Sequence, residues 1–79
     1  MMITLEFYAA LKDHFPTTLE VEEQLSDVRL LRAYLADKRL SASKLLTQCR
    51  FAVDDTFVDE EYALRDGDLV LVIPPSSGG

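Results

Sequence analysis

The sequence predicts an α+β fold in which one mixed sheet wraps across one main helix. Three observations carry this: alternating polarity over Met2–Tyr8 and Thr17–Glu23, a helical repeat after Ser26, and the unbroken apolar run Leu69-Val70-Leu71-Val72-Ile73. At 79 residues the chain can build a single modest core but not a cleft walled by two lobes. Any chemistry is therefore expected to be shared with a partner.

In the first strand Ile3, Leu5 and Phe7 share one face and Thr4 and Glu6 the other. Ala9 to Phe15 favours a helical turn, which Pro16 cuts short. The second strand sets Leu19 and Val21 inward against Thr18, Glu20 and Glu22, and its closeness to the first predicts an antiparallel pair. Ser26 is read as the N-cap of the main helix, with Asp27 favourable at the positive end of the dipole and Leu25 and Leu30 spaced for a hydrophobic staple. Val28, Leu31 and Leu35 then recur at helical spacing, while Arg29, Arg32 and Asp37 lie off that stripe and Lys38 and Arg39 close the helix. Ser41–Gln48 predicts a shorter helical piece with Leu45 and Leu46 turned inward.

Phe51 and Val53 restore a period of two, Asp54-Asp55-Thr56 makes a turn, and Phe57-Val58 starts a return strand. Asp66-Gly67-Asp68 is a second turn, because glycine accepts positive φ. The apolar strand after it is expected mid-sheet, buried on both faces, beside the first strand and parallel to it. Pro74-Pro75 ends pairing, since proline has no N–H to offer. This order of elements is that of the β-grasp. A β-grasp domain over residues 1–75 and a flexible diglycine tail over 76–79 are expected.

Fourteen acidic against eight basic residues give a formal charge of −6, which repels phosphate backbones and anionic lipid and argues against nucleic acid as a partner. Cys49 is the single cysteine and His14 the single histidine, so neither an intrachain disulfide nor a zinc cluster is expected. With no signal-peptide pattern and no run near the roughly 18 apolar residues needed to span a bilayer, no membrane role is expected and the cytosol is the default.

Beyond Ile73, six residues extend at most about 20 Å, enough to enter another protein's pocket. Glycine lacks Cβ, so Gly78-Gly79 can thread a channel too narrow for other side chains and present a carboxylate inside it. A carboxylate resists nucleophilic attack until it is activated. Adenylation by ATP supplies the leaving group, after which a sulfur donor can make a thiocarboxylate. The sequence has no phosphate-cradling glycine-rich loop and no nucleophile–base set for that step, so the activating enzyme must be separate. Taken alone, Ser76-Ser77-Gly78-Gly79 is equally a frayed terminus or an artificial linker.

Context changes that balance. Ala52-Val53-Asp54, Phe57-Val58, Leu64-Arg65-Asp66-Gly67-Asp68 and Pro74-Pro75-Ser76-Ser77-Gly78-Gly79 together resemble the small, sulfur-carrying subunits of molybdopterin synthase, within the MoaD/ThiS group of ubiquitin-like proteins. The resemblance runs essentially end to end. It implies that a ubiquitin-activating-type adenylyltransferase uses ATP to adenylate Gly79, that a sulfurtransferase system makes the thiocarboxylate, and that the tail inserts into the large subunit of molybdopterin synthase. There the sulfur goes to cyclic pyranopterin monophosphate, within a heterotetramer. The small subunit binds no cofactor or metal and is not an enzyme by itself. Gly79 is then the acyl carrier, with Gly78, Ser77, Ser76, Pro75 and Pro74 in the inserted segment and Ile73, Tyr8 and Lys12 as partner contacts. The family commonly has arginine at Lys12, an aromatic residue at Ile73 and a glycine near Phe15-Pro16. A sulfur carrier for the thiamine thiazole and a ubiquitin-like protein modifier are the alternatives.

Other candidates have plainer readings. Phe7 is expected in the core and Tyr8, on the opposite face, in an apolar patch with Ile73. Cys49 is read as buried and structural, and His14 as a surface or locally bonded imidazole. Asp54, Asp55, Asp59, Glu60 and Glu61 are read as a solvated face able to steer a basic partner.

Overall fold

Alternation in the first strand translates directly into burial: in β1 (Ile3–Phe7) the odd-numbered residues are closed to solvent and Thr4 and Glu6 are not. The computed structural model describes residues 1–76 and pairs β1 antiparallel with β2 (Thr18–Val21), Ile3 facing Val21 and Leu5 facing Leu19. On its other side β1 pairs parallel with β5 (Leu69–Ile73), Leu5 against Val70 and Phe7 against Val72. The chain adds β3 (Arg50–Val53) antiparallel to β5 and β4 (Thr56–Val58) antiparallel to β3, giving the order β2-β1-β5-β3-β4. The expected central, parallel position of the last strand holds.

Its expected burial on both faces does not. Val70 and Val72 are shut from solvent, but Leu71 and Ile73 are half-buried and Leu69 is exposed. A sheet with one helical layer covers one face only, so a strand can be central in pairing and open on its far side.

That layer is α1 (Val28–Lys38), whose Val28, Leu31 and Leu35 are fully buried against Ile3, Leu5, Phe51 and the valines of β5 within one core cluster. Phe7 and Phe15 stack in the same core with ring centroids 4.5 Å apart. The cap of α1 is Asp27 and not Ser26. The Asp27 carboxylate accepts from the Leu30 amide at 2.9 Å, while the Ser26 carbonyl accepts from the Leu64 amide in the loop before β5. An antiparallel bridge from Asp27 to Ala63 keeps the chain extended one residue longer than expected, and Asp caps as well as Ser. The staple expected between Leu25 and Leu30 loses its basis, because with Asp27 as the cap the residue before it is the polar Ser26, and Leu30 is exposed while Leu31 is buried.

The chain returns through a 3-10 turn at Leu40–Ala42 into α2 (Ser43–Leu46). Arg32, expected off the buried stripe, ties this piece down. Its guanidinium donates to both Glu60 carboxylate oxygens, at 3.0 and 2.7 Å, and to the carbonyls of Leu46 and, at 2.9 Å, Cys49, and it lies 4.8 Å over the Phe51 ring. Glu60 is thus a partner in a bidentate ion pair and not simply part of a solvated face. Arg32 thus adds a second donor to the Leu46 carbonyl, which also accepts from the Cys49 amide at 3.2 Å, and supplies one to the Cys49 carbonyl just before β3.

The turn between β3 and β4 has positive φ at both Asp54 (+52°) and Asp55 (+63°), the signature of a two-residue type I′ hairpin. Gly67, at φ +89°, closes the loop before β5, its amide donating to the Met2 carbonyl at 2.7 Å. Among the described residues no helix is long and apolar enough to cross a membrane.

Candidate functional site at the foot of the tail

Parallel pairing of β1 and β5 brings the C-terminal ends of both strands to the same edge of the sheet. There Phe7 passes to Tyr8 just as Ile73 passes to Pro74. Tyr8 leads into a 3-10 turn over Ala9–Asp13, which begins with Ala9 at φ +52°, a left-handed conformation that costs a non-glycine residue of the order of 1 kcal/mol. Opposite this turn stands α2. Between them opens an apolar pocket of about 390 Å³, walled on one side by Tyr8, Ala9 and Ala10 and on the other by Leu45. Ile73, Pro74, Pro75 and Ser76 complete it, so the segment that leads to the tail forms part of the pocket wall.

Tyr8 is held in that wall by a hydrogen bond from its phenol to the Glu6 carboxylate, at 2.9 Å. Donating to Glu6 raises the phenol pKa, with desolvation and the nearby negative charge adding to the shift, so Tyr8 remains a neutral donor at physiological pH. Phe7, one residue earlier, is in the core as expected, and Tyr8 shares the apolar patch with Ile73.

The sequence-predicted site is therefore partly assembled. Tyr8, Ile73, Pro74, Pro75 and Ser76 come together. Lys12 is exposed on the same 3-10 turn but outside the pocket wall. Ser77, Gly78 and Gly79 lie outside the described residues. Leu45, Ala9 and Ala10 were not among the expected contacts. Leu45 and Leu46 both turn inward as expected but to different depths: Leu46 is fully buried, while Leu45 is half-buried against the core and also lines the pocket.

The remaining candidates stay local. The Cys49 thiol donates to the Leu45 carbonyl at 3.3 Å, and burial pushes its pKa up, with Arg32 opposing; it has neither the exposure nor the lowered pKa of a reactive thiol. His14 Nδ1 lies 3.1 Å from Ser41 Oγ, and no carboxylate among the described hydrogen bonds orients that imidazole as a triad would require. No cluster of three or more His, Cys, Asp or Glu suited to a metal ion occurs among the described residues. What the arrangement offers is a binding surface. An apolar pocket sits at the end of the last strand, next to two prolines that restrict the backbone there.

No curated protein sequence matches the chain. Among solved structures, SAMP1 from Haloferax volcanii superposes with a TM-score of 0.81 at 17% identity over 100% of both chains. A putative molybdopterin converting factor subunit 1 from Pyrococcus furiosus gives 0.81 at 20% identity, over 95% of this chain and 98% of that one. A complex of subunits 1 and 2 of the molybdopterin-converting factor from Helicobacter pylori 26695 gives 0.72 at 26% identity, over 100% of both chains. A model of the ThiS family matches residues 5–79, nearly the whole sequence, and the chain therefore belongs to the ThiS family of ubiquitin-like β-grasp proteins.

Proposed function

We propose that this protein is the sulfur-carrying small subunit of a molybdopterin synthase. The observation that carries the proposal is the pocket built from Tyr8, Leu45 and the Ile73–Ser76 segment. It gives a partner an apolar hold on the root of the tail while the tail reaches further in. The family match extends through Gly79, and the Helicobacter pylori complex pairs a chain similar to this one with a second subunit.

In this reading the Gly79 carboxylate attacks the α-phosphorus of ATP on a separate activating enzyme, releasing pyrophosphate and leaving an acyl-adenylate. Hydrosulfide then displaces AMP to give the thiocarboxylate, or a persulfide displaces AMP to give an acyl disulfide, from which a second thiol releases the thiocarboxylate as it forms a disulfide with the donor. The loaded tail enters the large subunit, which supplies the catalytic groups and passes the sulfur to cyclic pyranopterin monophosphate, two carriers being used for each dithiolene. This chain contributes presentation: Gly78 gives clearance, the prolines limit the entropy lost on insertion, and Tyr8 and Ile73 dock. Lys12 adds a charge beside that contact.

Deletion of Gly79 tests the proposal. Molybdopterin formation in a reconstituted synthase is expected to vanish while the melting temperature stays unchanged. Undiminished formation overturns the carrier role. The similarity in fold to SAMP1 keeps protein modification as the second reading, and recovery of this chain joined through Gly79 to lysines of other proteins selects it.

A further inference from the structure

Charge is sorted along the strand axis, and on the carrier reading this bears on what receives the tail. Arg50 faces Ile73 across the sheet, so it stands at the tail end. The Arg39 side chain donates to the His14 carbonyl at 3.2 Å, which brings the C-terminal end of α1 against the 3-10 turn that carries Lys12. Lys44 precedes Leu45 in α2, at the pocket. Lys12, Lys38, Arg39, Lys44 and Arg50, five of the eight basic residues, thus gather around the tail's foot against Asp13, Asp37 and the Glu6 that holds Tyr8, and all five are exposed. Neither ion pair among the described residues, Arg29–Asp27 or Arg32–Glu60, uses any of them.

The opposite end is acidic. Register places Val53 beside Val70 and Ile3 beside Val21, and the Met2 amide donates to Asp66, so the turns that follow or precede these residues share one pole. Glu22, Glu23, Asp54, Asp55, Asp66 and Asp68 lie there. The acids expected to steer a basic partner therefore include Asp54 and Asp55 at the far pole, where they would draw such a partner to the wrong end. Lys12, Lys38 and Lys44 each fall in the last turn of their own helical piece, where a cation is favoured, and the Arg50 guanidinium lies 3.6 Å over the Phe57 ring; these are four separate elements, so local use by itself does not explain why all of them gather at one pole.

We propose that the protein receiving the tail carries a rim of aspartate and glutamate around its entrance, which meets this basic pole and turns the carrier tail-first. A protein fits better than a nucleic acid, because a polyphosphate would feel the net charge of −6 and the far pole along its length.

Stopped-flow association with the cognate large subunit at low ionic strength is the test, using the unloaded carboxylate form. The exposed triple variant Lys12→Glu, Lys38→Glu, Lys44→Glu is expected to associate about tenfold or more slowly, with the difference shrinking as salt is added. The far-pole control Glu22→Lys, Glu23→Lys is expected to associate no more slowly than the parent. Backbone amide shifts titrated with deca-glutamate are expected to move at Lys12, Lys38 and Lys44. An undiminished rate for the triple variant overturns the acidic rim, and so does tighter binding of a single-stranded oligonucleotide than of deca-glutamate. Since binding is read without sulfur, Gly79 thiocarboxylate forming alongside an undiminished rate sinks the rim and spares the carrier. Slowed association without any thiocarboxylate does the reverse. If the parent chain does not associate at all, the partner reading fails and the amide titration decides the pole by itself.

Discussion

Val72 and Ile73 are neighbours on β5 and differ by one methylene, yet Val72 is wholly shut in on the helix side while Ile73 stands half-buried on the other, at the mouth of the tail pocket. Both are aliphatic residues of one strand. Their fates differ because β5 has strands on both edges but a helix on only one face. Apolar surface beyond what the core needs is left beside Pro74–Ser76, at the end of the last strand.

The strongest way to break that contrast is to mutate both residues. Val72→Ala removes two methyl groups from a closed core and is expected to cost about 2 kcal/mol in urea unfolding. Ile73→Ser is expected to cost less than about 1 kcal/mol in stability while weakening binding to the large subunit about tenfold. Equal losses of stability at the two positions would show that the outer face is part of the core.

Arg32 sharpens the same comparison, because it fixes α2 and hence the Leu45 wall from the inner side. With its side chain 21% exposed and Glu60 46%, Arg32→Ala is expected to lower stability by about 1–3 kcal/mol, less than a fully buried pair would. Arg32→Lys is expected to recover only part of this, since an ammonium cannot span Glu60 and both carbonyls. Full recovery by lysine would contradict the forked geometry.

Cys49 gives the smallest effect. Burial raises its thiol pKa in the folded state, so the native chain holds that proton where the unfolded chain has lost it. The resulting contribution to stability is complete below the ordinary thiol pKa and is lost as pH rises through the native value. Unfolding free energies measured from pH 7 to pH 10 are expected to fall more steeply for the parent than for Cys49→Ala. Parallel curves would mean that the thiol is not desolvated.

Features resting on local pattern were legible beforehand. The alternation of β1, the Val28–Leu31–Leu35 stripe and the apolar run of β5 sufficed to place the last strand next to the first and parallel to it. What escaped depended on pairing at a distance. Ser26 and Asp27 are both good caps, and only the bridge to Ala63 decides between them. Arg32 looks like any solvent-facing helix residue until the chain brings Glu60 back from 28 positions away. The tail's chemistry was legible as a possibility in Gly78-Gly79, while its docking pocket needed the fold, because Leu45 and Ala9 meet only after α2 has folded over the 3-10 turn.

The central claim is that the chain exists to deliver an activated carboxylate from its end. Incubation with ATP, the activating enzyme and a sulfur donor, followed by tandem mass spectrometry, tests it directly. The account predicts that one oxygen of the Gly79 carboxylate is replaced by sulfur and that Cys49 is untouched. An unchanged mass, or sulfur found on Cys49, would contradict it.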